Sequence, residues 1–183
     1  MMAAHIPGMT SRNDATGGAV QWQWARLDEL TPARLYAVMV LRQRVFVVEQ
    51  ACVFQDADGR DADAWHLLGW MASAARDGDG AGDGAGRPML AAYARVFSPG
   101  ARYAAASVGR IVTAPEARGA GLGRALVSES LRRVDAAWPG TDVWIEAQQR
   151  LERFYEAYGF RRGDEEPYVE DGIVHVKMVR AAR

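Results

Sequence analysis

The spacing of apolar positions changes several times along the chain, and each change marks an element. Trp22 to Arg26 reads as a first strand. Thr31-Pro32 then opens a helix. Thr supplies a capping oxygen, Pro suits the first helical position, and Leu35, Val38, Met39, Val45 and Phe46 follow at helical spacing. Trp65 to Trp70 and Met89 to Phe97 read as strands that pair as neighbours. Ser107 to Thr113 is a β-rich run ended by Pro115; a glycine-rich turn follows, and Leu122 to Trp138 carries Val127, Leu131, Val134 and Trp138 at helical spacing. Asp142 to Ala147 is a further strand and Gln149 to Tyr158 a short helix, closed by Gly159 in the left-handed position. Finally, Tyr168 to Glu170 and Ile173 to His175 flank Asp171-Gly172, a strong two-residue hairpin signal.

Two segments lack periodicity. Residues 1–19, rich in Ala and Gly, are expected to form a disordered leader ahead of a single domain over 20–183. Ala74 to Arg87 alternates Gly and Asp with almost no apolar residue to anchor it, and is expected to be a flexible hairpin loop. Its Asp77, Asp79 and Asp83 miss the spacing and closing Glu of a calcium loop. Arg42 interrupts the apolar stripe of the first helix. A guanidinium there needs a carboxylate partner, and Glu49, Asp56, Asp58, Asp61 and Asp63 are the candidates.

Composition narrows the function classes. A chain of 183 residues with 22 Lys plus Arg against 23 Asp plus Glu carries no net positive field to collect nucleic acid or anionic lipid. Cys52 is the lone cysteine, which excludes an internal disulfide and thiolate metal clusters; no metal site is expected, and the thiol is read as inert. No apolar stretch approaches the roughly 20 residues that span a bilayer, and none has signal-peptide form near the start, so the expected setting is cytoplasmic.

The candidate chemistry begins at Arg118-Gly119-Ala120-Gly121-Leu122-Gly123-Arg124, between a strand end and a helix start. Helix N-terminal amides lack intrahelical acceptors, the helix dipole adds about half a positive charge, and absent Cβ atoms allow close approach, so a pyrophosphate fits there. No Gly-Lys-Ser/Thr follows, which excludes a Walker A loop, and the three-glycine spacing of a dinucleotide-binding turn is absent.

Arg118-x-x-Gly121-x-Gly123, preceded by Val112-Thr113-Ala114-Pro115, resembles the acetyl-CoA signature of GNAT acetyltransferases, and Arg153 to Phe160 resembles that superfamily's terminal-helix motif. The stretches Leu41 to Gln50, Asp58-Gly59-Arg60-Asp61, His66-Leu67 and Pro167 to His175 are similar to the ElaA-like branch. The resemblance covers about residues 22–180. It implies an α/β GNAT fold: a central, mainly antiparallel mixed sheet, splayed between its fourth and fifth strands and flanked by helices. It implies acetyl-CoA as cosubstrate, contacted by Ile111, Val112, Thr113, Arg118, Gly119, Ala120, Gly121, Gly123, Arg124 and Gln148, although Gln148 stands where many members have Asn and Thr113 replaces a common Val. It further implies direct transfer to a small-molecule or peptide amine, a backbone N–H at Val112 or a neighbour polarising the carbonyl, Tyr155 as general acid, and a homodimer. Glu49, His66, Glu146 and His175 are the candidates for the base or the substrate site.

Two other readings share this fold. Leu41-Arg42-x-x-Val45-Phe46 followed by acidic residues also resembles acyl-homoserine-lactone synthases, and a noncatalytic acyl-CoA sensor would keep the same scaffold.

Overall fold

The computed structural model describes residues 12–13, 20–72 and 88–183. The expected flexible loop at 74–87 and nearly all of the expected leader lie outside the described residues. Among the described residues nine strands form one sheet: β1 (Arg12–Asn13), β2 (Val20–Arg26), β3 (Trp65–Ala72), β4 (Pro88–Phe97), β5 (Ala106–Thr113), β6 (Val143–Gln148), β7 (Arg161–Arg162), β8 (Tyr168–Glu170) and β9 (Ile173–Arg180). Their order is β1-β2-β3-β4-β5-β6-β9-β7, with β8 on β9. Every pairing is antiparallel except β5 with β6. That parallel pair is short, joining only Ala106 to Val143 and Ser107 to Trp144. Beyond these residues the two strands part. Arg12–Asn13 adds a strand ahead of the expected first one, so the expected split between fourth and fifth strands falls between β5 and β6 here.

Helix α1 (Pro32–Arg42) starts where its cap predicts, with Thr31 Oγ1 accepting from the Arg34 backbone N–H. It continues as a π-helical segment, Gln43–Glu49, closed by a bond from Gln50 N to Val45 O. Apolar spacing alone predicts one continuous α-helix, because Val45 and Phe46 satisfy either winding. Helix α2 (Leu122–Ala137) buries Leu126, Val127 and Val134 against one sheet face, while α1 buries Val38 and Leu41 against the other. Each such side chain contributes about 1.5–3 kcal/mol, so the helix flanking the split is anchored by its own apolar stripe.

The expected helix over 149–158 is split into a 3-10 turn, Gln149–Leu151, and a short α3, Glu152–Glu156. Gly159 then takes the left-handed conformation at φ 87°, and the Phe160 N–H reaches back to Tyr155 O. The Asp171-Gly172 turn has both residues at positive φ, 49° and 76°, matching the twist of β8 and β9. No helix among the described residues is long and apolar enough to cross a membrane.

Candidate active site

The split is shaped by a bulge in β5. Arg95 pairs with Gly109 and Tyr93 with Val112, so Ala94 alone stands opposite both Arg110 and Ile111. The extra residue leaves the regular ladder and bends the strand. Arg110 takes the bend at φ 51°, an αL conformation unusual for a side chain of its size. Ala114 N donates to Ala91 O at 2.8 Å, which sets the phase of the ladder beyond the bulge. Alternation then turns the backbone of Val112 to β4 and that of Thr113 to the cleft, so the neighbour presents its N–H there.

At the open end of the split, β5 runs through Pro115–Ala117 into the glycine loop. Gly119 and Gly121 sit at φ 91° and 80°, and Gly121 caps α2. A Cβ at Gly119, Gly121 or Gly123 would meet nothing within 4 Å, so the space over the helix N-terminus is open to a phosphate. Arg118 does not extend freely: its Nη1 and Nη2 donate to Glu49 at 2.8 and 3.0 Å, and Nη2 also reaches Thr113 O at 3.4 Å. Arg44 meets Glu116 at 2.9 Å. The π-helical segment thereby clamps the loop from the side.

A cavity of about 220 Å³ lies between β5 and β6, and it brings together Ile111, Glu146, Gln148, Tyr155 and His175 of the expected site residues. Val112, Thr113, Arg118, Gly119, Ala120, Gly121, Gly123 and Arg124 lie along β5, the loop that follows it and the first turn of α2, outside the cavity lining. Glu49 is outside too, held on Arg118. His66 is fully buried elsewhere. Its Nε2 faces Asp61 O at 2.9 Å and must donate, because a carbonyl only accepts; Nδ1 then accepts from Tyr93 Oη at 2.7 Å. Burial lowers its pKa, which keeps it neutral and inside the core.

Tyr155, on α3, is 6% exposed and sits edge-on to Phe154 and Phe160. Burial pushes its phenol up to about 12, with Tyr158 adding to the effect, so it stays protonated at neutral pH. Glu146 accepts from Arg102 Nη2 and from Tyr103 Oη, each at 2.8 Å, and both donors occupy its carboxylate. His175 lies within 2.9 Å of Ile173 O through Nδ1 and stacks on Tyr168 with ring centres 5.7 Å apart. The carbonyl makes Nδ1 the donor. In the neutral ring Nε2 is therefore the acceptor. Gln148 Nε2 donates to Gln50 Oε1 at 3.2 Å, closing a polar link across the cavity to the segment after the π-helix.

Below the bulge lies a cluster that periodicity could not assemble. Arg42 donates to Asp56 and Asp61, each at 2.7 Å; Arg95 meets Asp58 at 2.7 Å and Asp61 at 2.9 Å; Arg110 meets Asp56 at 2.7 Å. The expected partners of Arg42 thus include Asp56 and Asp61, and Glu49 is engaged elsewhere. Arg95, buried within an apolar strand, was the available sequence signal: a charge in that position requires pairing. Arg110, Arg102 and Tyr103 carried no such mark.

Residues 88–182 match the family model described as "Acetyltransferase (GNAT) domain". A UPF0039 protein of Synechocystis is 37% identical over 161 residues, covering 87% of this chain and 94% of the relative. The crystal structure of an acyl-CoA N-acyltransferase from Pseudomonas aeruginosa matches with a TM-score of 0.76 at 37% identity, covering 88% of this chain and 99% of that one. Escherichia coli ElaA matches with a TM-score of 0.73 at 35% identity, again covering 88% and 99%. By the family model and by these relatives, the chain belongs to the GNAT acetyltransferase family, in its ElaA-like branch.

Proposed function

We propose that this protein is an acetyl-CoA-dependent N-acetyltransferase that moves the acetyl group directly to a primary amine. The observation that carries the reading is the convergence on one cleft of a bulged strand edge, a glycine-capped helix N-terminus and a buried, protonated Tyr155. Membership in the family supports acyl-CoA-dependent acyl transfer, and the N-acyltransferase of Pseudomonas aeruginosa is a relative by both sequence and fold.

Acetyl-CoA supplies an activated thioester, and the open space above Gly119, Gly121 and Gly123 suits its pyrophosphate. Amides of the first turn of α2 and the guanidinium of Arg118 would hold the phosphates. The cleft-facing edge of β5, including Thr113, would pair with the pantetheine arm as with a strand. Backbone N–H groups at the bulge would stabilise negative charge on the carbonyl oxygen, a role worth about 3 kcal/mol where single donors have been removed. Tyr155 holds a proton for the departing sulfur. His175, with Nε2 free to accept, takes the proton from the incoming ammonium, while Glu146, locked by Arg102 and Tyr103, orients the substrate.

Thiol release from acetyl-CoA, measured beside longer acyl-CoAs with amino acids, peptides, polyamines and simple amines, tests the reading. Amine-dependent release that is fastest with acetyl-CoA is the expected result. Coenzyme A binding without release from any donor and amine would overturn it.

A further inference from the structure

Two residues that line the cavity each carry a buried polar atom without a hydrogen-bond partner among the described residues: Ser107 its hydroxyl and Arg95 its Nε–H. The two residues are only 5% and 2% exposed. Strand register brings them to one corner. Arg95 pairs with Gly109 and Phe97 with Ser107, so the four positions share a sheet face. The Arg95 guanidinium lies over the Phe97 ring, 5.1 Å from its centre, which carries it along the strand toward Ser107. Gly109 leaves the corner open, since a Cβ there would meet nothing within 4 Å.

Folding does not account for these two donors. The terminal nitrogens of Arg95 are already engaged by Asp58 and Asp61, and Ser107 Oγ bonds to nothing in the described protein. Buried donors without acceptors destabilise a fold, and native proteins keep few of them. Trp22 Nε1 and Arg180 Nε are in the same condition, but neither residue lines the cavity.

The surrounding charges select the ligand. Three guanidiniums, of Arg42, Arg95 and Arg110, are matched by three carboxylates, of Asp56, Asp58 and Asp61, so the corner offers hydrogen-bond donors without surplus positive charge. A neutral oxygen fits that setting better than a carboxylate or phosphate, whose desolvation would need a counter-charge. Ser107 also lies at the closed apex of the split, where β5 still pairs with β6, and the bulge begins three residues further on at Arg110. Three residues of strand span about 10 Å. At the exposed rim of the same cavity, Glu170 and Asp171 form no ion pair among the described residues and could meet an ammonium group, while Arg150 and Lys177 line the cavity as well, so the rim carries both signs of charge.

We propose that the acceptor is an amine bearing a neutral hydrogen-bond-accepting oxygen, an amide carbonyl or a hydroxyl, several bonds from its nitrogen. The nitrogen reaches the bulge, and the oxygen receives hydrogen bonds from Ser107 Oγ and Arg95 Nε at the apex. This specificity rests on the acyltransferase reading above. It separates the acceptor from polyamines, which bring no oxygen, and from amino carboxylates, which bring a charge.

The test uses the full chain and a series of ω-amino amides of increasing chain length, each beside the alkylamine of equal length. At the best length the wild-type protein should prefer the amide by about 10-fold in kcat/KM, equivalent to about 1.4 kcal/mol. In Ser107→Ala that preference should fall to about 3-fold, the share left to Arg95 Nε, with no loss of thermal stability, because the hydroxyl it removes has no partner in the fold. Should no amine release thiol, the acyltransferase reading fails, and calorimetric titration of the same amides into the coenzyme A complex reads the same contrast as affinity. An amide preference that is undiminished in Ser107→Ala, or its absence at every chain length in the wild type, overturns the proposal.

Discussion

Glu49 grips Arg118 through both carboxylate oxygens, at 2.8 and 3.0 Å, although the two residues stand 69 positions apart. Glu49 closes the π-helical segment and Arg118 opens the glycine loop, so the pair ties that segment to the loop. Both side chains are about two-fifths exposed, at 41% and 42%. Such a pair contributes little to folding. Its position matters more: the guanidinium proposed to meet the pyrophosphate is already occupied by a carboxylate of this chain.

Glu49→Gln should therefore tighten coenzyme A binding, because phosphate no longer competes with a fixed anion for Arg118. An exposed pair of about 0.2–1 kcal/mol sets the gain at roughly 1.5- to 5-fold. Calorimetry at low and high salt checks this, since screening should shrink the gain. The transfer rate should stay close to wild type. A large fall in rate at unchanged affinity would instead make Glu49 the base.

Tyr155→Phe keeps the ring and deletes the proton. Single-turnover transfer should fall by about 10²-fold while acetyl-CoA affinity stays unchanged. A linked effect on stability has a defined sign. The phenol is raised to about 12 in the folded chain and titrates near 10 when unfolded, so its contribution is intact below about 10 and is lost as pH rises toward 12. The Phe variant should accordingly lose less stability than wild type between those limits in urea melts. Equal alkaline losses would show that Tyr155 ionises as readily in the folded chain.

What the sequence disclosed and what it withheld divide along the range of the interactions. Thr31-Pro32, Asp171-Gly172 and Gly159 encode local backbone geometry, and each stands in the structure where its neighbours alone placed it. The splayed strands and the glycine-capped helix were legible through motif and order. The π-helical turn left no trace, since its apolar residues fit either winding. Arg110 at positive φ, the Glu49–Arg118 pair and the unpartnered Ser107 hydroxyl depend on contacts between distant segments. His66 looked like a base by residue type. Its burial between Tyr93 and Asp61 is a tertiary fact that no local pattern carries.

The buried cluster beneath the bulge predicts an acid limb in stability. Hydrogen bonds from Arg95 hold Asp58 well below the usual carboxylate range. Burial pushes Asp61 up, but Arg42 and Arg95 outweigh it and the net shift is downward. For depressed carboxylates the stabilisation is complete above the unfolded value of about 4 and is lost as pH falls below it. Asp61→Asn removes one such carboxylate while leaving Arg42 and Arg95 short of a partner, and should cost about 3 kcal/mol at pH near 7. The deficit relative to wild type should narrow toward pH near 3. Urea midpoints at the two pH values decide it, and an unchanged deficit would remove Asp61 from the acid response.

Gly121 and Gly123 separate backbone strain from ligand approach, and the phosphate site can be tested on that difference. Gly121 sits at φ 80°, so any side chain there strains the helix cap by about 1–2 kcal/mol even though the space is open. A weakened cofactor site in a Gly121 variant would therefore be ambiguous. Gly123 lies inside the first turn of α2, has no positive φ, and a Cβ on it would meet nothing within 4 Å. Gly123→Ala should thus leave the fold intact or stabilise it by about 0.4–1 kcal/mol, since alanine is the better helix former and loses less entropy on folding. The same methyl would stand over the helix N-terminus where the pyrophosphate is proposed to lie. Coenzyme A affinity should fall about 10-fold or more while dephosphorylated pantetheine, which lacks the pyrophosphate, binds as it does to wild type. Thermal melts and paired titrations of the two ligands check both halves, and equal losses for coenzyme A and pantetheine would move the phosphates away from this loop.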